Sequence, residues 1–465
     1  MLRTWEGVPE MEKLRFYFAL WGAKAAGLVL RILRRGGTYA PGKLALTLCP
    51  DFLARIGRPE TLIGVTGTNG KTTVSNMLCD ILESWGLDPV SNRMGANIDA
   101  GAATALVSAA SLSGKCRKKL GVLEMDERSA ARLFPVLRPD HLLVTNLFRD
   151  SMRRNAHPEY IASLMEENIP KETHLVLNAD DPISSSLAPL NSRTLFSVDP
   201  LPWESPAQEN LVQDVRICPV CGEAVVYDFR RYHHIGRAHC PECGWHSPAP
   251  DYQLISADQE SGRMTVMESE VWQEYRVPSL EIHNLYNALA AVTLLRSMGY
   301  GAGEIADAME KLSVVETRLQ SEEIGRWKLT GSMAKGLNAV ACSRNFDMVR
   351  HTPGKKAVVL LLDDVFDEKT SSENIAWLYD ADFEFLNDPE VVQVLAVGVR
   401  CLDTQLRLLL AGVSPEKIKA VRKASDAPGE VDLASCEQVF VLYEVYRLEQ
   451  AKELRAAIGE RMRKA

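Results

Sequence analysis

The pattern of apolar and polar positions predicts a strand followed by a helix between residues 61 and 85. The apolar run at residues 62–65 has the length and composition of a buried strand. A glycine-bracketed turn at residues 67–70 separates this run from a stretch with helical periodicity that reaches Trp85. The segment therefore predicts a strand, a glycine-rich loop and a helix in immediate succession.

Further apolar runs continue this alternation along the chain. The predicted strands lie at residues 120–124, 141–146, 175–178, 357–362, 391–397, 417–421 and 438–442. Helical patterns separate most of them, and strands that alternate with helices favour a parallel sheet covered by helices. The fold class is therefore predicted to be α/β, with a second, Rossmann-like sheet in a separate C-terminal domain.

The order of these elements divides the chain into three parts. An apolar helical pattern at residues 11–33, interrupted by charged residues, begins a helical extension over residues 1–55. A central domain is predicted over residues 56–315 and the C-terminal domain over residues 316–465. We expect the first helix to pack on the central domain, and the alternative is an interfacial helix that rests on the inner leaflet of the membrane.

Composition and charge narrow the class of protein. The chain has 465 residues, of which 46% are hydrophobic and 25% charged, as in folded soluble proteins of two or three domains. Its net charge of −8 argues against a nucleic-acid binder. Apolar runs of transmembrane length and signal-peptide features are lacking, so we expect a cytoplasmic protein whose ten cysteines are thiols or metal ligands.

The glycine-rich loop has the character of a phosphate-binding loop. Glycines let successive backbone N–H groups point at an anion, and the helix N-terminus adds partial positive charge. Lys71 supplies a mobile cation and the hydroxyl of Thr72 can ligate magnesium, although Val65 stands where a full Walker A sequence has glycine. We expect a nucleoside triphosphate and Mg²⁺ here. The predicted binding residues are Gly67, Thr68, Asn69, Gly70, Lys71, Thr72 and Thr73.

A carboxylate ends the next predicted strand. Glu124 follows the apolar run at residues 120–123, at the edge where open parallel sheets bind ligands. It is the predicted second magnesium ligand. Asp126 and Glu127 are the alternatives, since either carboxylate could do the same work.

Two C-P-x-C-G knuckles interrupt the α/β pattern within residues 212–250. Each knuckle places two thiolates on one tight turn, and four thiolates converge tetrahedrally on Zn²⁺. The predicted zinc ligands are Cys218, Cys221, Cys240 and Cys243. We expect a closed structural zinc ribbon that protrudes from the central domain, with the neighbouring histidines at its surface or in hydrogen bonds.

Asn284 and Asn287 begin a predicted alanine-rich helix and lie on one of its faces. Their side-chain amides each offer a donor and an acceptor, which suits the edge of a nucleobase. The alternative is an asparagine-rich helix cap.

These motifs stand in the order found in the Mur ligase superfamily. The motifs are VTGTNGKTT at 65–73, TN at 145–146, NADDP at 178–182, HNLYNALAA at 283–291 and Arg318. The segments GGTYAPGK, SNRMGAN, LEMDE, TNLFRD and WLYDADFE, with the cysteine ribbon, further resemble the MurT family of that superfamily. The resemblance implies a Mur-ligase central domain with an inserted Cys₄ zinc ribbon and a Rossmann-like C-terminal domain.

The resemblance implies an ATP-dependent carbon–nitrogen ligase of peptidoglycan synthesis. Such an enzyme activates the α-carboxylate of D-glutamate in the stem peptide of lipid II as an acyl phosphate, and ammonia then displaces phosphate to give D-isoglutamine. A GatD-like glutaminase subunit, which we expect on the C-terminal domain, supplies the ammonia. The alternatives are an amino-acid ligase of the Mur or folylpolyglutamate type and a nucleotide-binding scaffold that has lost catalysis.

The resemblance also implies roles for individual residues. Lys71 would contact the β- and γ-phosphates, and Thr72 and Glu124 would hold Mg²⁺. Asn287 would read the adenine, and Arg318 would reach the nucleotide from the interdomain linker. The implied nucleotide-binding residues outside the loop are Asn146, Asn287 and Arg318.

Asp380 resembles the aspartate that the synthetase subunit supplies to the active site of the glutaminase partner. There it would orient the histidine that activates a cysteine nucleophile. Asp382 and Asp367 are the fallback residues for this role, and the alternative is a partner-binding patch without a catalytic share.

Several positions depart from the superfamily pattern. Asp150-Ser151 replaces an Asp-His pair whose histidine holds a second metal, and Leu164 replaces a carbamylated lysine. Both losses fit an enzyme whose amine is free ammonia. The segment at 316–320 lacks a glycine before Arg318, and the segment at 331–336 replaces a Lys-Asn-Pro motif.

Overall fold

The computed structural model of the chain describes residues 9–33, 38–93, 96–149, 157–204, 210–312, 319–334, 338–363 and 375–465. The chain divides into two compact units. The first comprises Met1–Leu147, Pro158–Ala207 and Val215–Ser313, and the second comprises Phe148–His157, Gln208–Asp214 and Val314–Ala465.

Unit 1 is a helix-covered sheet with a small separate hairpin. Its helices are α1 (Glu10–Ile32), α2 (Ala40–Leu48), α3 (Phe52–Arg55), α4 (Lys71–Ser84), α5 (Asp99–Ala109), α6 (Ala130–Leu137), α7 (Pro158–Glu166), α8 (Ile282–Ser297) and α9 (Ala302–Met309). Its strands are β1 (Thr61–Thr66), β2 (Val90–Ser91), β3 (Leu120–Glu124), β4 (His141–Val144), β5 (His174–Asn178), β6 (Arg193–Val198), β7 (Val226–Tyr232), β8 (Ile235–His239), β9 (Tyr252–Asp258), β10 (Arg263–Glu268) and β11 (Val271–Arg276).

The main sheet of unit 1 has the strand order β11-β10-β9-β6-β5-β4-β1-β3-β2. Strand β1 pairs in parallel with β3 on one side and β4 on the other, so the phosphate loop leaves an interior strand of the sheet. The predicted strands β1, β3, β4 and β5 are present. Strands β6 and β9–β11 are not among the predicted strands, because their alternating or mixed patterns carry no continuous apolar run.

The N-terminal helices share the core of unit 1. Phe16, Leu20 and Ala23 of α1 are buried in the same apolar cluster as Leu62 of β1. The opposite face of α1 is exposed and also apolar. The predicted packing of the first helix is therefore present, and this helix also has an apolar face that is largely exposed to solvent.

Unit 2 consists of a second α/β sheet with its helices. Its strands are β12 (Leu319–Ile324), β13 (Trp327–Met333), β14 (Lys356–Leu361), β15 (Val391–Val397), β16 (Ile418–Val421) and β17 (Gln438–Tyr443), and its helices are α10 (Ala339–His351), α11 (Trp377–Asp380), α12 (Cys401–Leu410), α13 (Ala427–Glu430) and α14 (Leu448–Lys464). The order is β12-β13-β17-β14-β15-β16, with all pairs parallel except β12 and β13. The predicted Rossmann-like sheet at the C-terminal end is thus present.

Candidate nucleotide site and metal cluster

The phosphate loop joins β1 to α4, as the sequence predicts. Gly67 and Gly70 adopt φ angles of 120° and 92°, a region that favours glycine. A Cβ atom at residue 67 would collide with the Thr145 hydroxyl, and one at residue 70 would collide with the Asn287 amide oxygen. The three motifs that the sequence set far apart therefore meet at this loop.

The TN pair holds the loop through its main chain. The backbone N–H of Asn69 donates to the side-chain oxygen of Asn146 at 3.0 Å, and the Asn146 amide donates to the Asn69 carbonyl at 3.1 Å. The Thr145 hydroxyl donates to the same carbonyl at 2.7 Å. This bracing pre-orders the loop. Because the N–H groups of Thr68 and Asn69 already donate to Asn146, an anion would be met by the N-terminal end of α4.

Lys71 lies at the start of α4 and forms a buried ion pair with Glu127. Its ammonium group is 3.0 Å from the Glu127 carboxylate and also donates to the carbonyl of Gly67. Burial opposes the charge of Lys71, but the carboxylates of Glu127, Asp126 and Glu124 outweigh it and raise the pKa of Lys71. The lysine is therefore a permanent cation poised beside the loop.

Glu124 ends β3, as predicted, and is nearly buried. Its carboxylate accepts from the side-chain amide of Asn97 at 3.1 Å. Asn92 braces the strand end from the other side, since it accepts from the Glu124 N–H and donates to the Glu124 carbonyl. Glu124 thus contributes negative charge near Lys71. Its carboxylate oxygens are of the kind that ligate a hard cation such as Mg²⁺.

The neighbouring carboxylates of Asp126 and Glu127 have different partners. Asp126 caps the short turn after β3 and pairs with Arg128 at 3.1 Å. Burial acts to raise the pKa of Asp126, but Arg128 and Lys71 outweigh it and the pKa is lowered. Glu127 is predicted from the sequence only as an alternative metal ligand, and its pairing with Lys71 is a finding of the structure. The adjacent carboxylates of LEMDE are the sequence signal that points to it.

The structure also places α8 against the loop. Asn287 is buried, with its amide oxygen next to Gly70. Its reading of an adenine stays a prediction. Thr72 is exposed on the first turn of α4. Arg318, Asp150, Ser151 and the alternative partner-site residue Asp367 lie outside the described residues.

The four predicted zinc ligands come together. The sulfur atoms of Cys218, Cys221, Cys240 and Cys243 all lie within 4.8 Å of one another. The closest pairs, Cys218 with Cys243 and Cys221 with Cys240, are each 3.5 Å apart. Four thiolates around one zinc ion would lie about 3.8 Å apart, given Zn–S bonds of about 2.3 Å in tetrahedral geometry, so the cluster fits this metal.

The hairpin between the knuckles, β7 and β8, is buried at its tip. Arg231, His233 and His234 are almost completely buried, and His234 lies 3.2 Å from the Asp181 carboxylate of the NADDP motif. The expectation that the ribbon protrudes is therefore wrong for this end, although the knuckle residues Cys221 and Cys243 are exposed. The reason is that the tip carries the polar partners of residues 180, 181 and 286. The histidines were expected at the surface or in polar contacts, and His234 has the polar contact whereas the His239 side chain is partly exposed.

Unit 2 holds the predicted partner-site residues in its own contacts. Asp380 ends α11 and lies 3.5 Å from Arg149, which also pairs with Asp214. Burial raises the pKa of Asp380 against the opposing effect of Arg149. Asp382 is fully buried and accepts from Asn210 at 2.6 Å and from the Leu211 N–H at 2.7 Å.

Comparison with known proteins first defines the class. Residues 65–198 match the Mur ligase middle domain and residues 336–446 match the MurT ligase C-terminal family. The chain is similar in fold to a pseudomurein peptide ligase type C from Methanothermus fervidus (TM-score 0.64, 18% identity, 88% of this chain and 81% of that chain). It is also similar to MurF from Acinetobacter baumannii (TM-score 0.61, 15% identity, 90% and 80%). The fold is that of a Mur ligase.

Curated relatives then define the family. The chain is 30% identical over 424 residues to lipid II isoglutaminyl synthase (glutamine-hydrolyzing) subunit MurT of Staphylococcus aureus (strain COL), covering 90% of this chain and 94% of that protein. It is 28% identical over 447 residues to the protein of the same name from Streptococcus pneumoniae (strain ATCC BAA-255 / R6), covering 96% and 98%. The chain belongs to the MurT family, which confirms the predicted resemblance.

Proposed function

We propose that the chain is the synthetase subunit of an enzyme that amidates lipid II in peptidoglycan synthesis. The α-carboxylate of D-glutamate in the stem peptide attacks the γ-phosphorus of ATP, and ADP leaves. Ammonia attacks the resulting acyl phosphate, phosphate leaves, and loss of a proton gives D-isoglutamine. The observation that carries the proposal is the near full-length similarity to MurT subunits, together with a phosphate loop whose lysine is intact.

The residues of unit 1 divide this chemistry among them. The backbone N–H groups of Gly70 and Lys71 and the ammonium of Lys71 bind the phosphates and stabilise the charge that develops on the transferring group. When bound, Mg²⁺ would neutralise phosphate charge and orient the triphosphate, and Thr72 and Glu124 are its proposed ligands. Glu127 keeps Lys71 extended along the loop until a nucleotide competes for the ammonium group.

We propose that the Cys₄ cluster binds a structural zinc ion. Its four sulfur atoms would fill the coordination sphere of the ion and leave no position for substrate. Each knuckle is closed by backbone hydrogen bonds from Gly222 to Cys218 and from Gly244 to Cys240, at 3.0 Å in each case. These turns present the thiolates at the geometry that such ribbons use.

The ammonia is proposed to come from a GatD-like glutaminase subunit. Asp380 of unit 2 is the proposed link, since its carboxylate is partly exposed and Tyr379 beside it is exposed. Asp382 is a weaker candidate because its carboxylate is buried and accepts hydrogen bonds from residues 210 and 211. Asp380 would hold a histidine of the partner in the productive orientation.

We propose that α1 contacts the membrane surface that holds the lipid-linked substrate. Within the described residues, no helix is long and apolar enough to cross a bilayer. However, the outer face of α1 carries large apolar side chains spaced by three, four or seven residues, all at least half exposed: Met11, Leu14, Phe18, Trp21, Leu28 and Ile32. Residues 1–47 contain eight lysines and arginines against three acids, although the chain as a whole has a net charge of −8. An apolar helix face in a basic segment suits an anionic lipid surface.

The proposed reaction is tested with the purified chain, ATP, Mg²⁺, lipid II and ammonium chloride, without the glutaminase. We expect release of one phosphate per amide formed, with the amide located on the α-carboxyl of glutamate by mass spectrometry. Replacing ammonium by free amino acids distinguishes an amino-acid ligase. ATP turnover that does not depend on lipid II, or no amide product, would contradict the proposal.

A further inference from the structure

The buried tip of the β7–β8 hairpin contacts α8 through one guanidinium group. Arg231 donates two hydrogen bonds, of 2.5 and 2.8 Å, to the Glu204 carboxylate. It further donates to the carbonyls of Val198 and Asp199. It also donates to the Tyr286 hydroxyl at 2.5 Å. Only 3% of the Arg231 side chain is exposed. A fully bonded, buried arginine holds its partners in one arrangement.

Tyr286 carries the contact onward to the main sheet. Its hydroxyl donates to the Asp180 carboxylate at 2.7 Å, and this carboxylate also accepts from the Ser197 hydroxyl and the Val198 N–H. Asp180 itself is fully buried, and its own carbonyl accepts from the hairpin residue Gly236 at 2.8 Å. The Tyr286 hydroxyl thus connects α8 to the hairpin through Arg231 and to the sheet through Asp180.

The next residue of α8 is Asn287, whose amide oxygen lies against Gly70 of the phosphate loop. A second connection runs parallel to the first. His234 at the hairpin tip lies beside Asp181, and the Asp181 carboxylate accepts from the N–H of Leu147 at 2.8 Å. Leu147 directly follows Asn146, which braces Asn69. Both connections end at the same glycine-rich loop.

The hairpin is in turn bounded by the four cysteines. Cys218 and Cys221 precede β7, and Cys240 and Cys243 follow β8, so the cluster clamps the two strands at the end opposite to Arg231. A two-stranded hairpin on its own is marginally stable, and a structural metal supplies the missing stabilisation.

We propose that the cysteine ribbon positions the nucleotide site, and that Tyr286 is the positioning residue that links the two. Zinc holds the hairpin, the hairpin presents Arg231, and Arg231 with Asp180 fixes Tyr286 and hence the register of Asn287 against the phosphate loop. The inference rests on the proposed nucleotide site. It differs from a purely local role for zinc, because it makes nucleotide affinity depend on the metal.

The test measures the affinity of the full chain for Mg·ADP by calorimetry, with zinc content determined in parallel. We expect Tyr286→Phe to retain zinc and to weaken ADP binding by about fivefold or more. The matched control is Tyr252→Phe, which also removes a buried hydroxyl bonded to a carboxylate, Glu268, but in β9. This control should leave both zinc and ADP affinity within about twofold of the parent.

Removal of zinc provides the second arm and does not need the tyrosine variant to fold. Cys221→Ser, at an exposed ligand, or a chelator should weaken ADP binding of the parent by a similar factor. In Tyr286→Phe, zinc removal should weaken ADP binding little further, because the hydrogen bonds of the Tyr286 hydroxyl to Arg231 and Asp180 are already lost. An ADP affinity that zinc removal leaves unchanged, or effects that simply multiply, would overturn the coupling alone. A zinc-loaded parent that binds no ADP would overturn the proposed function as well.

Discussion

The ammonium group of Lys71 lies 3.0 Å from the carboxylate of Glu127, and the two side chains are 11% and 3% exposed. These residues stand 56 positions apart, one on the phosphate loop and one after β3. The pair gives the free protein a compensated buried charge at the place where a triphosphate would bind. We therefore expect removal of the lysine to affect both the proposed catalysis and folding.

Lys71→Ala should lower the rate of amidation by about 10²-fold or more, because the transferring phosphoryl group loses its stabilising cation. It should also lower the free energy of unfolding by about 3 kcal/mol, since the Glu127 carboxylate stays buried without its partner. Product formation with ammonium and chemical denaturation measure the two effects.

The double variant Lys71→Ala/Glu127→Gln separates these contributions. It should recover most of the lost stability, because a neutral amide replaces the unpaired carboxylate, while the rate stays low. Amidation at the parental rate in either variant would contradict the role of Lys71 in phosphate binding.

Cys243→Ser should reduce the zinc content of the chain, because three thiolates bind the ion less tightly than four. We also expect faster hydrogen exchange over the hairpin strands β7 and β8. Cys116→Ser is the control, as this thiol lies outside the cluster and should leave zinc in place. Full metal retention after loss of Cys243 would refute the assignment.

Asp380→Asn should abolish amidation that depends on glutamine, since the partner's histidine would lose its orienting carboxylate. Amidation with added ammonium should persist, and so should assembly with the glutaminase. The control Asp403→Asn removes a half-exposed acid of the same unit that pairs with Arg400. Glutamine hydrolysis at the parental rate in the Asp380→Asn complex, or failure of that complex to form, would exclude a catalytic share.

Acidification should destabilise unit 1 through a pair of histidines on neighbouring strands. His141 and His174 face each other in register on β4 and β5, with ring centroids 5.6 Å apart. Burial lowers the pKa of both, and His174 lowers that of His141 further. The unfolded chain then binds protons more readily than the folded one, so stability is full above the ordinary pKa of 6.5 and falls as the pH drops through it.

His141→Gln should flatten this dependence, which melting temperatures at about pH 7.5 and about pH 5.5 would measure. His351→Gln in unit 2 is the control, because that ring is well exposed. An equally steep pH dependence in both variants would show that other groups cause the acid sensitivity.

Leu14→Ser with Phe18→Ser should weaken binding to vesicles of phosphatidylglycerol and phosphatidylcholine, because it removes two exposed apolar side chains from the outer face of α1. Sedimentation with the vesicles measures the bound fraction, which should also fall with salt. Leu190→Ser, at an exposed leucine elsewhere in unit 1, should have no effect. A parent that does not sediment with the vesicles, or that dimerises through α1 instead, would exclude the lipid surface.

The sequence by itself determined the features whose signal is local. The phosphate loop, the strand end at Glu124 and the two cysteine knuckles are read from spacing over a few residues, and the apolar runs of β1, β3, β4, β14 and β15 are those of strands buried in parallel sheets. The order of the motifs indicated the Mur-ligase fold, and the resemblance of further segments such as GGTYAPGK and WLYDADFE indicated the family.

Only the tertiary structure decided which distant side chains share a contact. Periodicity identifies the faces that are buried, but it does not say which polar group meets which once they are buried. Glu127 as the partner of Lys71, and the hairpin tip as the partner of residues 180 and 286, depend on how the chain returns on itself over tens of residues. A buried charge must find a partner when the chain folds, and this requirement, absent from any local pattern, placed the ribbon beside the nucleotide site.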